Sequence, residues 1–344
     1  MSADNRLRVE QHYLVTGGAG FIGSEVTRQL AAAGAEVTIV DNLVNGKRGN
    51  VEDVLNDHVR LVVADVRDGA QMACLLRGVD VVLHLACLGV RHSIHSPFEN
   101  HEVNATATLR LLQAARRLGV KEFVYVSSSE VYGTARRVPM DEDHPTFPRT
   151  VYGAGKLAGE CYTRAFFETY RYPTVVLRPF NAYGPRCHHE GDCGEVIPRF
   201  MLRCMAGRPM IIFGDGCQTR DFTYVSDTAR GIILAALADE AVGRTMNLGS
   251  STEIAVKELA RVIGKVVGEG DPQIVHDVPR PGDVMRLYAD AGRARRILGF
   301  EPSVGLQEGL TKLHEWYVAQ SRPAAALLEE EIVHNWDLSG AGVA

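Results

Sequence analysis

A glycine-rich loop set between two apolar runs constrains this chain more than any other feature. Tyr13-Leu14-Val15-Thr16 has the make-up of a short buried strand. Gly17-Gly18-Ala19-Gly20-Phe21-Ile22-Gly23 follows at once, and a helical stretch from about Ile22 to Ala33 then runs to a stop at Gly34. A second apolar run, Glu36 to Val40, ends on Asp41. Gly17, Gly20 and Gly23 are spaced so that the chain can turn sharply, lay its backbone against a pyrophosphate and pack the next helix close to a sheet. The amino end of that helix, beside Phe21 and Ile22, would present free N–H groups and a positive dipole end to the phosphates. Asp41 stands near the distance of roughly 20 residues at which a carboxylate meets the ribose. Such a carboxylate accepts from a 2′-hydroxyl and repels a 2′-phosphate. The expected cofactor is therefore NAD rather than NADP, with Asn42 beside Asp41. Lys47 and Arg48, a few residues on, pull the other way.

Further apolar runs recur at Val59–Val63, Val79–Leu85 and Phe123–Val126, separated by helix-like stretches such as Asn104–Leu118. Strands alternating with helices specify an α/β fold, a Rossmann-type doubly wound parallel sheet, with a smaller mixed α/β substrate-binding lobe. Ligands in such sheets bind at the carboxyl ends of strands. Asp65 and Val66 are thus expected near adenine, Leu85 and Ala86 near the nicotinamide ribose, and the run Ser127–Ser129 at the reacting end. The expected division is 1–183 for the nucleotide domain, with return segments near 220–250, a discontinuous lobe over 184–320, and a tail over 321–344. Thr245–Leu248 should return to the main sheet.

Tyr152 and Lys156 share one face of a helix, one turn apart. An ammonium beside a phenol favours phenolate and is expected to lower the phenol's pKa from its ordinary value of about 10. That makes Tyr152 a usable base, with Ser128 or Ser129 bridging to the substrate oxygen.

With these residues in place, the chain resembles the extended short-chain dehydrogenases/reductases, in the branch of nucleotide-sugar epimerases and dehydratases. The resemblance spans roughly residues 10–320. It rests on the glycine loop, Val131-Tyr132-Gly133, Tyr152 with Lys156, Arg178-Pro179-Phe180-Asn181-Ala182-Tyr183-Gly184-Pro185, Gly214-Asp215-Gly216 with Arg220-Asp221-Phe222, and Arg280-Pro281-Gly282-Asp283. It implies a tightly held NAD contacted also by Asn104 and Phe180. It implies a UDP-sugar substrate met by Arg91, Ser93, Asn181, Val196, Arg199, Ile211, Phe213, Arg220, Arg280 and Asp283, with Asn181, Arg220 and Arg280 at the diphosphate and Asp283 at the nucleoside ribose. It further implies a homodimer formed through the helices near Asn104–Leu118 and Val151–Tyr170.

Two positions leave the reaction open. Dehydratases of this family carry an Asp-Glu pair where this chain has Ser129-Glu130, which argues against ordinary 4,6-dehydration. Uronate decarboxylases carry a similar Ser-Glu step, and some epimerase-like sequences tolerate the Glu. The stretch Val90-Arg91-His92-Ser93 resembles the form found in epimerases, and Arg91 and His92, or His188 and His189, have the chemistry to accept a sugar carboxylate. The expectation is a UDP-glucose or UDP-glucuronate 4-epimerase, with decarboxylase or dehydratase as the alternative and a non-catalytic NAD-binding regulator as a third reading.

Composition bounds the rest. With 344 residues, 46% of them apolar, the chain can bury a substantial core. A net charge of −5 with no basic stripe gives no footprint for nucleic acid. No long apolar run predicts a membrane span, and the polar start Met1–Gln11 does not read as a signal peptide. Seven irregularly spaced cysteines fit a cytoplasmic protein with reduced thiols. Cys187-His188-His189 and Cys193 lack a second pair, so no metal is expected.

Overall fold

The computed structural model describes residues 11–268 and 270–336. The first ten residues of the expected nucleotide domain and 337–344 of the tail lie outside the described residues. Seven strands form one sheet: β1 (His12–Thr16), β2 (Glu36–Asp41), β3 (Val59–Val63), β4 (Val81–His84), β5 (Glu122–Val126), β6 (Thr174–Pro179) and β7 (Thr245–Leu248). Their order is β7-β6-β5-β4-β1-β2-β3, and each neighbouring pair is parallel.

Alternation along the strands explains why both faces are covered. Tyr13 and Val15 of β1 point to one side, where they pack with Val26 and Leu30 of the helix α1 (Phe21–Ala32) and with Ala229 and Ile232 of the helix Val225–Ala235. Leu14, between them, joins Val82, Phe123 and Tyr125 on the other side, against Leu111, Leu112 and Ala115 of the helix Thr108–Arg117. Strands buried on both faces read as near-continuous apolar runs, which is how β1, β2 and β4 read. β7 completes the sheet beside β6, with Thr245 opposite Val176.

A further core gathers around Ile197, Met201 and Leu202 of the helix Val196–Met205, with Leu259 and Ile263 of the helix Val256–Val267 and Leu310 and Leu313 of the helix Leu306–Val318. The expected helix Asn104–Leu118 is not uniform. Residues Glu102–Ala107 form a π-helical turn, and the α-helix occupies only Thr108–Arg117. The Thr108 hydroxyl donates to the Asn104 carbonyl within this stretch. Among the described residues no helix is long and apolar enough to cross a membrane, and the cysteines form no disulfide.

The switch in strand order falls between β1 and β4, and their carboxyl ends open a cleft there. Its rim is braced by a buried histidine. Thr16 Oγ1 lies 2.7 Å from His84 Nδ1, and His84 Nε2 lies 2.9 Å from Thr108 Oγ1. Burial pushes the His84 imidazole down to about 3, so it stays neutral and structural. The same threonine hydroxyl accepts from the Leu85 and Ala86 N–H groups, which fixes the chain as it leaves β4.

Candidate active site

The cleft is a cavity of about 480 Å³ running from the glycine loop to the helix Val196–Met205. At one end Gly17 takes a φ of +68°, and a Cβ there would stand 2.8 Å from the Ala86 backbone. A Cβ on Gly23 would stand 2.1 Å from the Gly17 carbonyl oxygen. Only bare backbone permits this crossing, and it leaves the amino end of α1 facing the cavity. Gly20 caps that helix in extended geometry with no side chain in the way.

Asp41 holds its carboxylate by accepting from the Ala19 N–H at 3.0 Å and the Leu43 N–H at 2.9 Å. Burial raises its pKa against these lowering contacts. Lys47 does not offer its charge to a 2′-phosphate: its Nζ lies 2.6 Å from Glu190 Oε1, while Arg48 leans toward Glu52. Asp65 receives Asn42 and Arg67, which hold its carboxyl down at about 2. An open helix amino end for phosphates, a fixed carboxylate for a ribose diol, and Lys47 and Arg48 both turned to carboxylates rather than to a 2′-phosphate together fit NAD.

The reacting end is built by β5 and the helix Val151–Tyr170. Thr150 caps that helix by accepting from the Gly153 N–H, which seats Tyr152 in its first turn, facing the cavity. Ser128 accepts from the Glu130 N–H at 3.2 Å, and its hydroxyl acts to lower the Tyr152 pKa. Ser127 is engaged elsewhere: its hydroxyl donates to Glu160 Oε1 at 2.6 Å. Glu160 is itself locked to Arg178 at 2.6 Å in a buried pair.

The Tyr152 phenol corrects the sequence reading. Its pKa is raised well above the usual value, first by burial and then by Cys87, with Ser128 opposing and Glu130 and Glu195 adding to the rise. Lys156 turns its ammonium to the Val126 carbonyl at 2.7 Å, and burial lowers its own pKa. In the protein alone, desolvation outweighs the expected help from the lysine.

Gly17, Gly20, Phe21, Ile22, Gly23, Asp41, Asn42, Asp65, Val66, Leu85, Ala86 and Phe180, the residues expected at the cofactor, all line this cavity. Ser128, Ser129, Glu130, Tyr152 and Lys156 line its centre. Arg91, Asn181, Val196, Arg199, Ile211, Phe213, Arg220, Arg280 and Asp283 line the far part. Two expected residues stand behind the wall instead. Ser93 donates its hydroxyl to the Val90 carbonyl. Asn104 accepts from the Leu88 N–H and donates to the Leu88 carbonyl. Both shape the loop that carries Arg91 and do not reach the cavity.

Charge is uneven at the far end. Arg220 is paired with Asp283 at 2.6 Å and Arg199 with Glu331 at 2.6 Å. Arg91 and Arg280 have no ion pair among the described residues, and the Nε of each is buried without a partner. Burial, reinforced by Arg91, pushes Arg280 down to about 9. Asn181 likewise keeps a buried, unpartnered Oδ1. Glu195 and Glu331 also line this region, and neither was singled out in the sequence. Burial raises the Glu195 carboxyl, with Arg91 and His188 opposing. Its position directly before the helix Val196–Met205 was a weak signal for it.

This arrangement has counterparts. The model of the GDP-mannose 4,6 dehydratase family matches residues 14–313. The chain belongs to that family of NAD-dependent epimerases and dehydratases. A UDP-glucose 4-epimerase from Mycolicibacterium smegmatis is 38% identical over 314 residues, covering 90% of this chain and 99% of that one. UDP-glucuronic acid decarboxylase 1 from Xenopus tropicalis is 34% identical, covering 92% of this chain and 73% of its relative. A solved UDP-glucuronic acid 4-epimerase from Bacillus cereus, in complex with UDP-glucuronic acid and NAD, superposes with a TM-score of 0.83 at 30% identity, over 89% of this chain and 98% of that one. dTDP-glucose 4,6-dehydratases match as well. The protein is thus an enzyme of the epimerase/dehydratase family with NAD as its cofactor.

Proposed function

We propose that this enzyme is a nucleotide-sugar 4-epimerase acting on UDP-glucuronate and UDP-glucose. The observation that carries the reading is Ser129-Glu130: a buried serine lies at the cavity where an elimination would need a second carboxyl acid. NAD, held by the glycine loop and Asp41, would supply the hydride acceptor and donor for sugar C4. Tyr152 would take the proton of the C4 hydroxyl and return it once the cationic nicotinamide and Lys156 offset the burial that raises the phenol's pKa in the protein alone, and Ser128 would bridge phenol and substrate oxygen. Lys156, whose ammonium is anchored on the Val126 carbonyl, would hold the nicotinamide ribose. Arg220, Arg280 and Asn181 hold the diphosphate, so that the 4-keto sugar can turn about it. Val196, Ile211 and Phe213 wall the nucleoside, and Asp283 meets its ribose while keeping Arg220 in place.

Arg91 supports the uronate as a substrate, because its guanidinium lines the cavity with no ion pair among the described residues, close enough to Glu130 for its charge to act there. Arg91→Ala is expected to lower kcat/KM for UDP-glucuronate by roughly 10- to 100-fold, the value of one charge-assisted hydrogen bond, and for UDP-glucose far less. Equal losses on both substrates would contradict a carboxylate role. The alternative reaction, decarboxylation, is favoured by one observation: burial raises the Glu130 carboxyl, as suits a proton donor. Incubating purified enzyme with NAD and either sugar nucleotide separates the two. Epimerisation gives an isomer of unchanged mass. A product lighter by carbon dioxide supports Glu130 as an acid, and failure to interconvert either C4 pair sinks the epimerase.

The division at 183/184, with the tail from 321, belongs to this reading, as does a cytoplasmic location. So does a homodimer through the helices Thr108–Arg117 and Val151–Tyr170, supported by exposed Leu109, Val151 and Tyr170. Sedimentation at micromolar concentration tests the dimer.

A further inference from the structure

The family match ends at residue 313, yet the chain beyond it returns to the cavity. After the helix Leu306–Val318, a short helix at Ala324–Leu327 turns the chain back over the helix Val196–Met205. Residues 331–336 are then pinned along the loop before that helix. Glu331 bridges to Gly191, and Asn335 donates its amide to the carbonyls of Asp192 and Gly194 at 3.1 and 3.3 Å. His334 adds a contact to Asp277 at 2.9 Å.

Two side chains of this segment act on the arginines of the far end. Glu331 reaches Arg199 at 2.6 Å and Arg203 at 2.7 Å, with its own side chain only 5% exposed. One carboxylate therefore occupies two guanidiniums that line the cavity. The second guanidinium edge of Arg199 is spent on the Val333 carbonyl at 3.1 Å. Trp336 does the opposite for Arg280. It packs edge-on against Phe213 at 4.7 Å between ring centres, and the Arg280 guanidinium lies 5.4 Å from the Phe213 ring and 5.6 Å from the Trp336 ring. Aromatic faces hold a cation without neutralising it. Arg280 is thereby fixed yet left electrostatically free, while Arg199 is fixed and cancelled.

We infer that the segment 331–336 is a positioning element for the nucleotide diphosphate: Trp336 sets Arg280 as a free phosphate-binding cation, and Glu331 withholds Arg199 and Arg203 from the ligand. On this reading Arg199 lines the cavity but is held by Glu331 and does not meet the substrate. The inference rests on the reading that the far end of the cavity binds a nucleoside diphosphate.

The two side chains then have opposite effects on anion affinity, which a merely structural role would not produce. The probe is UDP, with calorimetry on the full chain loaded with NAD. Trp336→Ala should weaken UDP about tenfold, a loss of the order that a desolvated cation–π contact carries. Trp336→Phe should restore most of it. Glu331→Gln removes a negative charge and frees two guanidiniums, and should tighten UDP severalfold, with a steeper dependence on salt. In the epimerase assay Trp336→Ala should raise KM and leave kcat within about twofold. Loss of UDP affinity in both variants, or no change in either, overturns the inference. If wild-type enzyme binds no UDP, the diphosphate reading of the site fails instead. Melting temperatures of all variants show whether a loss of affinity is a loss of fold.

Discussion

Replacing Tyr152 with Phe is expected to reduce turnover by roughly 10²- to 10⁴-fold, the usual contribution of a positioned acid–base group. The substitution keeps the ring in its cavity wall and deletes one hydroxyl. Affinity for UDP and the amount of NAD carried by the purified protein should stay near wild type, so the loss falls on kcat. Ser128→Ala should follow the same pattern more weakly. A Tyr152→Phe enzyme with unimpaired turnover would remove the phenol from the chemistry. A biological effect that survives the change would favour the non-catalytic regulator.

The second large effect lies at the other end of the cavity. Gly23→Ala forces a Cβ to within 2.1 Å of the Gly17 carbonyl oxygen and 2.8 Å of the Gly18 Cα. These are backbone atoms and cannot swing aside, so loop and helix must separate. The expected result is a more than tenfold loss of NAD affinity, since the loop would no longer lie against the pyrophosphate, together with about 1–3 kcal/mol of lost stability from overpacking. NAD titration by fluorescence and a denaturant melt measure both. Gly49→Ala is the control: nothing lies within 4 Å of a Cβ at that position, and neither quantity should move. If Gly23→Ala binds NAD like wild type, the loop is not the phosphate cradle.

Much of this architecture was legible before any coordinates. The strands β1, β2, β4 and β5 are legible because burial on both faces leaves near-continuous apolar runs, the edge strand β3 because of its valines around Arg60, and β7 from the run Thr245-Met246-Asn247-Leu248. The glycine loop was legible because its demand is steric and local. Tyr152 and Lys156 were legible because one helical turn separates them. What stayed hidden depends on contacts between distant segments. That Arg199 is paired with Glu331, far along the chain, is one such contact. Ser93 and Asn104 stand where a motif would put a ligand contact, but their hydrogen bonds turn them into the supporting loop. The π-helical turn at Glu102–Ala107 leaves no distinctive local mark, since Val103, Asn104 and Thr106 weaken an ordinary helix without specifying a widened turn. The phenol's raised pKa follows from burial, a quantity that the spacing of Tyr152 and Lys156 does not contain.

The most direct test of the central claim is the fate of the hydrogen on C4. UDP-glucuronate deuterated at C4 should give, with this enzyme and NAD in ordinary water, the C4 epimer with its deuterium still on C4 and its mass unchanged. Loss of the label to solvent in an isomeric product, or a product lighter by carbon dioxide or water, would contradict epimerisation by removal and return of that hydrogen.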